Sequence, residues 1–163
     1  MRDRKVTFIA QAAMIAAIYV ILTVLFAAYS FGQIQVRIAE GLTILPFFTP
    51  AAIPGLFIGC LIGNFLGGAV PPDIIFGSLA TLIGAAGSYA LRKNKYLVPL
   101  PPIAANTIIV PLILRYAYGI PEPIPFMMLT VGIGEVISCG VIGLIFLNAL
   151  YPFRTKIFGP ENA

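Results

Sequence analysis

Seven side chains able to bind a polar solute lie inside, or at the edge of, long apolar runs: Arg37, Glu40, Asn64, Asp73, Asn106, Arg115 and Glu135. A carboxylate accepts two parallel N–H bonds, an amide both donates and accepts, and arginine donates in a fork. Three acids against two arginines point to a donor-rich or mildly cationic ligand, such as one presenting a guanine-like edge. Tyr29, Phe31, Phe65, Phe76 and Tyr116 stand nearby in the sequence and offer stacking faces. Bond-breaking chemistry has less to work with. The chain has no histidine, so it lacks the commonest general base and metal ligand, and with it an H-E-x-x-H zinc motif or a Ser–His pair. It has no G-x-x-x-x-G-K-[ST] loop to cradle a nucleotide phosphate. Cys60 and Cys139 lie far apart within apolar runs and read as small buried hydrophobes, not as a disulfide or metal pair. No cofactor is expected.

The elements that must hold these residues are membrane spans. Hydrophobic residues make up 60% of the 163 and charged residues 10%, against about 25% charged in a soluble domain. The mean hydropathy is +1.00. Soluble enzymes and nucleic-acid modules are thereby excluded, and the net charge of +4 is to be explained by the membrane. Apolar runs predict helices over residues 6–29, 36–48, 52–66, 73–91, 101–118 and 125–150 within a single integral membrane domain, 1–163. The first run is too long for a signal peptide, whose apolar core spans about 7–15 residues. The second is short: about 13 helical residues cover roughly 20 Å of a hydrocarbon core about 30 Å thick. Charge parity decides in favour of its crossing. With six crossings, Arg2, Arg4 and Lys5, the Arg92–Lys95 loop, and Arg154 with Lys156 share one side, as the positive-inside rule requires. The outer links 30–35, 67–72 and 119–124 then hold Gln33, Gln35 and Glu122 but no lysine or arginine. The expected fold is an all-α membrane protein with six transmembrane helices and both termini cytoplasmic, in the plasma membrane.

A charge at mid-membrane costs about 2.5–3.5 kcal/mol on insertion scales, so the charges inside these runs mark function by default. At 1.5 Å per residue, Glu40 lies roughly 6 Å below the outer end of its run, Arg115 roughly 5 Å and Glu135 roughly 8 Å. The polar groups converge on the outer third, as in a pocket open to the outside. Snorkelling accounts for long arginines but not for Glu135, well inside the sixth run. Small residues form a second pattern. Gly55, Gly59, Gly63 and Gly67 make a ridge for close helix packing, and Ala12–Ala16 with Ala13–Ala17 make two overlapping pairs on the first helix.

The stretch Gln33–Gly68, QIQVRIAEGLTILPFFTPAAIPGLFIGCLIGNFLGG, with Asp73–Gly84, DIIFGSLATLIG, and IGEVISCGVIG around Glu135, resembles the QueT family over nearly the whole chain. That family comprises substrate-binding (S) components of energy-coupling-factor transporters associated with queuosine precursors. The resemblance implies an S-component-like bundle with partners in a transmembrane T subunit and two cytoplasmic ATPases, which accounts for the missing P-loop. It implies docking of the T subunit on Ala12, Ala13, Ala16 and Ala17, and a 7-deazaguanine ligand with an aminomethyl or cyano group. The competing readings are a stand-alone carrier or proton-coupled symporter with Glu135 as its proton site, and, third, an intramembrane enzyme. The charge asymmetry predicts that cysteines placed at residues 94 and 159 react only from the cytoplasmic side, and one at 121 only from outside. Opposite labelling at 94 alone would mean that the second segment does not cross.

Overall fold

The computed structural model describes residues 4–26 and 36–159, and is helical with no strand among them. Tyr29, Phe31, Gln33 and Gln35 lie outside the described residues. The elements are α1 (Arg4–Leu25), a 3₁₀ segment (Ile38–Phe47), α2 (Ala52–Leu66), α3 (Pro71–Ala90), α4 (Leu100–Tyr116) and a composite helix, α5 (Ile124–Phe158). Within α5, α-helix over Ile124–Glu135 gives way to a π segment, Val136–Ile142, before regular winding resumes at Gly143. α1, α3 and α5 are long and apolar enough to cross a membrane, while the 3₁₀ segment, α2 and α4 are shorter and apolar. The molecule is a multi-pass, all-α membrane protein.

α1 buries one stripe, Ile15, Ala16, Tyr19 and Thr23, and exposes Ile9, Met14, Ile18, Ile21 and Leu25 on the rest of its surface. Such apolar exposure is what a lipid-facing helix requires. Its buried stripe meets the glycine ridge of α2. A methyl group at Gly55 would stand 2.7 Å from the Ala12 carbonyl oxygen, one at Gly59 2.8 Å from Tyr19 Cβ, and one at Gly63 3.1 Å from Thr23 Cβ. The ridge is therefore internal packing that brings two backbones together. A second close approach joins α3 to α4, where a methyl group at Gly84 would lie 2.7 Å from Pro102 Cα and one at Gly87 2.5 Å from Pro101 Cβ.

The second segment departs from a simple spanning α-helix. It is a 3₁₀ helix of 10 residues, with Ala39 through Pro46 all buried. Runs beyond three or four residues are uncommon for this geometry, which rises about 2.0 Å per residue. Its neighbours enforce it. Gly41 lies where a methyl group would be 3.1 Å from Ile142 Cγ2 and 3.3 Å from the Ser138 oxygen, and one at Gly143 would be 2.9 Å from Ile44 Cγ2. The 3₁₀ segment thus runs against the π segment inside the bundle, with little of it left for lipid. Ile44 and Leu45 of this segment join Phe48, Leu56, Val98, Leu147 and Phe158 in the apolar core. Phe48 and Phe158 stack there with ring centres 5.0 Å apart. The sixth run extends past residue 150 to Phe158 because Tyr151–Phe153 continues it as a 3₁₀ turn.

Gly59→Leu should lower the protein's stability in detergent by about 1–3 kcal/mol or more, the cost of overpacking a close contact. Gly132→Ala is the control, since its methyl group would be 3.4 Å from the nearest atom, Thr107 Oγ1. Thermal unfolding of both variants checks this. Equal melting temperatures would show that α1 and α2 are not in this contact.

Candidate binding site

Five elements send polar side chains to one place at the centre of the bundle. Glu40, on the 3₁₀ segment, is 1% exposed, and Glu135, the last residue before the π segment, is 3% exposed. One carboxylate oxygen of each and Cys139 Sγ lie within 4.8 Å of one another. Both acids sit where the chain leaves α-helical winding, and such interruptions often accompany functional sites. Glu40 is held on several sides. Its Oε1 accepts hydrogen bonds from the Tyr19 hydroxyl of α1 and from Thr81 Oγ1 of α3 at 3.2 Å. Its Oε2 accepts one from Asn106 Nδ2 of α4 at 3.4 Å. Cys139 Sγ donates to Glu135 Oε2 at 3.2 Å, and Thr43 Oγ1 donates to the Glu40 carbonyl at 2.6 Å. Thr81 also lies 3.4 Å from Cys60 Sγ of α2, so both cysteines border the cluster.

A second polar layer lies about one turn of the 3₁₀ segment further out. Asp73, in the first turn of α3, accepts a 2.8 Å hydrogen bond on Oδ2 from Tyr118, and Arg37 Nη2 stands 3.9 Å from the same oxygen. Asn64 Nδ2 is 3.5 Å from the Asp73 carbonyl. A methyl group at Gly77 would fall 2.7 Å from Asp73 Oδ1 and 3.3 Å from Asn64 Nδ2, so glycine leaves room for this carboxylate beside its own helix. Burial and the neighbouring Asp73 charge push the Tyr118 phenol up to about 12, which keeps its proton available to Asp73 at neutral pH. Asp73 Oδ1 and Ser138 Oγ are buried without a hydrogen-bond partner.

Of the seven residues expected from sequence, six are buried and fall into these two layers: Arg37, Asn64 and Asp73 outside, Glu40, Asn106 and Glu135 within. Arg115 does not join them. It is exposed in the last turn of α4 and donates from Nη1 to the Ile120 carbonyl at 3.1 Å. Ile120 lies in the link beyond α4, so the side chain ties that link to the helix end, where a cation suits the exposed carbonyls. Thr81, which touches Glu40, lies eight residues after Asp73, so the two layers are about 12 Å apart along α3. Tyr19, Thr43, Cys60, Thr81, Tyr118 and Cys139 were not singled out as site residues. A hydroxyl or thiol in an apolar run can satisfy a backbone carbonyl, so its type alone signals little; Thr23, bonded to the Tyr19 carbonyl at 2.9 Å, does only that.

The cluster accepts hydrogen bonds and positive charge. Two carboxylates this close in a region of low dielectric repel strongly unless a proton, a cation or an N–H donor lies between them. Glu40, Glu135 and Cys139 also form the place, among the described residues, where a metal ion would find three donors. A groove of about 510 Å³ between α3 and α4, lined by Phe76, Leu79, Ile83, Leu112 and Tyr116 among others, is apolar and faces the lipid side of these helices.

An apolar helical bundle with acids, amides and hydroxyls gathered at its centre is a membrane protein with a buried polar cluster suited to holding a polar solute. The sequence model of the QueT transporter family matches residues 9–152, and the chain belongs to that family. It is 41% identical over 85 residues to the queuosine precursor transporter QueT of Lactococcus lactis subsp. cremoris (strain MG1363). That alignment covers 51% of this chain and spans about half, 50%, of the relative's length. No solved structure matches significantly.

Tyr19→Phe removes a donor from a buried carboxylate, and hydrogen bonds to charged groups are worth about 1.5–3 kcal/mol. The variant should therefore unfold at a lower temperature than the parent in a detergent melt. An unchanged melt would mean that Glu40 does not depend on Tyr19.

Proposed function

We propose that this chain is the substrate-binding component of an energy-coupling-factor importer for a queuosine precursor. The observation that carries the proposal is the convergence of Glu40 and Glu135 within 4.8 Å at the centre of an apolar bundle, ringed by Asn106, Thr81 and Tyr19. One carboxylate accepting two parallel N–H bonds suits the edge of a 7-deazaguanine. The Lactococcus lactis relative's stated substrate is of this chemical kind. Glu135, Glu40 and Asn106 contact the ligand, and Asp73, Arg37, Asn64 and Tyr118 close over it from the outer side. The role is binding and release, not chemistry on the solute. Energy comes from two cytoplasmic ATPase subunits acting through a T subunit, because the chain has no phosphate-binding loop of its own.

The docking surface for that T subunit is narrower than the two alanine pairs imply. Ala16 is 8% exposed, and Ala12 and Ala16 lie against Gly55 and Gly59 of α2. Ala13 and Ala17 are exposed on another side of α1, alongside Ile9, Met14 and Ile18. We assign docking to Ala13 and Ala17 and internal packing to Ala12 and Ala16.

Ala17→Trp should abolish uptake in cells while the purified protein keeps its affinity for ligand, because only close helix approach is blocked. Ala16→Trp should instead destabilise the bundle. Co-purification of the parent, but not of the Ala17 variant, with T and ATPase subunits completes the test. Uptake without any co-purifying ATPase would favour a stand-alone carrier.

A further inference from the structure

Away from the buried cluster, and with the exception of Arg115, the cations of the described residues gather at one end of the bundle. Arg92, Lys93 and Lys95 lie in the link between α3 and α4, and Arg154 and Lys156 in the last residues of α5. Lys95 Nζ donates to Asn148 Oδ1 at 3.1 Å, which seats the link against α5 and joins the two basic stretches into one surface. Gln11 Nε2 donates to the Phe158 carbonyl at 3.4 Å, so the start of α1, with Arg4 and Lys5, borders the same end. No acid stands there among the described residues. Glu40, Asp73 and Glu135 are buried within the bundle, and Glu122 lies in the α4–α5 link at the other end.

The two arginines of this surface are held in place without being used up. The Arg92 guanidinium lies 3.8 Å from the ring centre of Tyr89 and donates one 3.1 Å bond to that residue's carbonyl. Arg154 repeats the arrangement on Tyr151, at 4.2 Å from the ring centre and 3.1 Å from the carbonyl. Their other N–H groups, and the ammonium groups of Lys93 and Lys156, meet no acceptor among the described residues. Large apolar side chains are interleaved with these charges, and Tyr96, Leu100, Phe153 and Ile157 are all exposed. The length of α5 sets the level of the surface. Its 35 residues cover roughly 50 Å, against about 30 Å of hydrocarbon and about 40–45 Å with the headgroups included. The last turns therefore run through a headgroup layer, and the stack of Phe158 on Phe48 keeps them against the bundle.

We infer that this end of the molecule is a binding site for anionic phospholipid. The lipid phosphate accepts hydrogen bonds from the arginine forks and the lysines, while the acyl chains cover Tyr96, Leu100, Phe153 and Ile157. A soluble polyanion would satisfy the cations but leave those apolar side chains in water. A zwitterionic lipid brings a cation of its own to a surface that already has an excess. The charge asymmetry of the chain assigns this end to the cytoplasm, whose leaflet carries the negative surface potential.

Thermal unfolding in a non-ionic detergent, with phosphatidylglycerol or phosphatidylcholine added, tests this on the parent and on the double variant Lys93→Gln/Lys156→Gln. A lipid that binds the folded state raises the melting temperature with its concentration. Phosphatidylglycerol should do so for the parent, and phosphatidylcholine should not. Each surface cation is worth about fivefold in association with an anionic surface. The double variant should thus need on the order of twentyfold more phosphatidylglycerol for the same rise. Both lysines are exposed and without a partner, so without lipid the variant should melt with the parent. Arg115→Gln, which removes a charge at the other end, should respond to phosphatidylglycerol as the parent does. Equal stabilisation by the two lipids, or a rise that survives undiminished in the double variant, overturns the inference. The same rise from inorganic phosphate at equal concentration would show an anion site that needs no lipid, and overturns it too. Loss of co-purifying ATPase subunits from the double variant, with no phosphatidylglycerol effect on the parent, would assign the surface to a protein partner instead.

Discussion

Two carboxylates within 4.8 Å of one another, each almost wholly removed from solvent, place a demand on every element around them. Like charges at that distance are tolerable in a low-dielectric bundle only with donors or positive charge at hand. The phenol of α1, the hydroxyl of α3, the amide of α4 and the thiol of α5 each answer part of that demand. Removing any one leaves a buried acceptor poorer, so the site and the stability of the fold draw on the same contacts.

Carrying the acids inward requires backbone that is not regular α-helix. The 3₁₀ segment seats Glu40 inside the bundle, and the π segment begins immediately after Glu135. Both fit only because the surrounding helices pack unusually closely. Gly41 and Gly143 let the two segments touch, and Gly55, Gly59 and Gly63 draw α2 onto α1, which positions Tyr19 over Glu40. A side chain larger than hydrogen at Gly59 would meet Tyr19 itself, so the glycine ridge bears on the site as well as on packing. Further out, the Tyr118–Asp73 hydrogen bond ties the link after α4 to the start of α3.

Much of this was legible in the sequence, for a simple reason. Charged and amide residues are so costly in apolar runs that Glu40, Asp73, Asn106 and Glu135 announced themselves, and the structure buries all of them. The apolar runs likewise pointed to six helical segments, although the sixth runs on to Phe158. What could not be read was direction and winding. The spacing of Ala12, Ala13, Ala16 and Ala17 yields two equivalent pairs, and only the position of the glycine ridge decides that Ala12 and Ala16 turn inward. Arg115 had the same type and position along its run as a buried partner would, but its long side chain reaches forward to the link after α4. Tyr19, Thr81 and Cys139 resemble any other residue of a membrane helix until the helices are brought together. A 3₁₀ or π segment leaves no mark in hydropathy, so the winding around Glu40 and after Glu135 could not be read.

The proposed function turns on a solute that donates N–H groups to the paired acids. A structure of the protein with its ligand bound tests this most directly. The account predicts a ligand nitrogen within hydrogen-bonding distance, about 2.7–3.2 Å, of a Glu135 oxygen, with the ring edge on Glu40 and Tyr118 still closed over Asp73. A ligand lodged in the apolar groove between α3 and α4, with Glu40 and Glu135 contacting only protein, would contradict it.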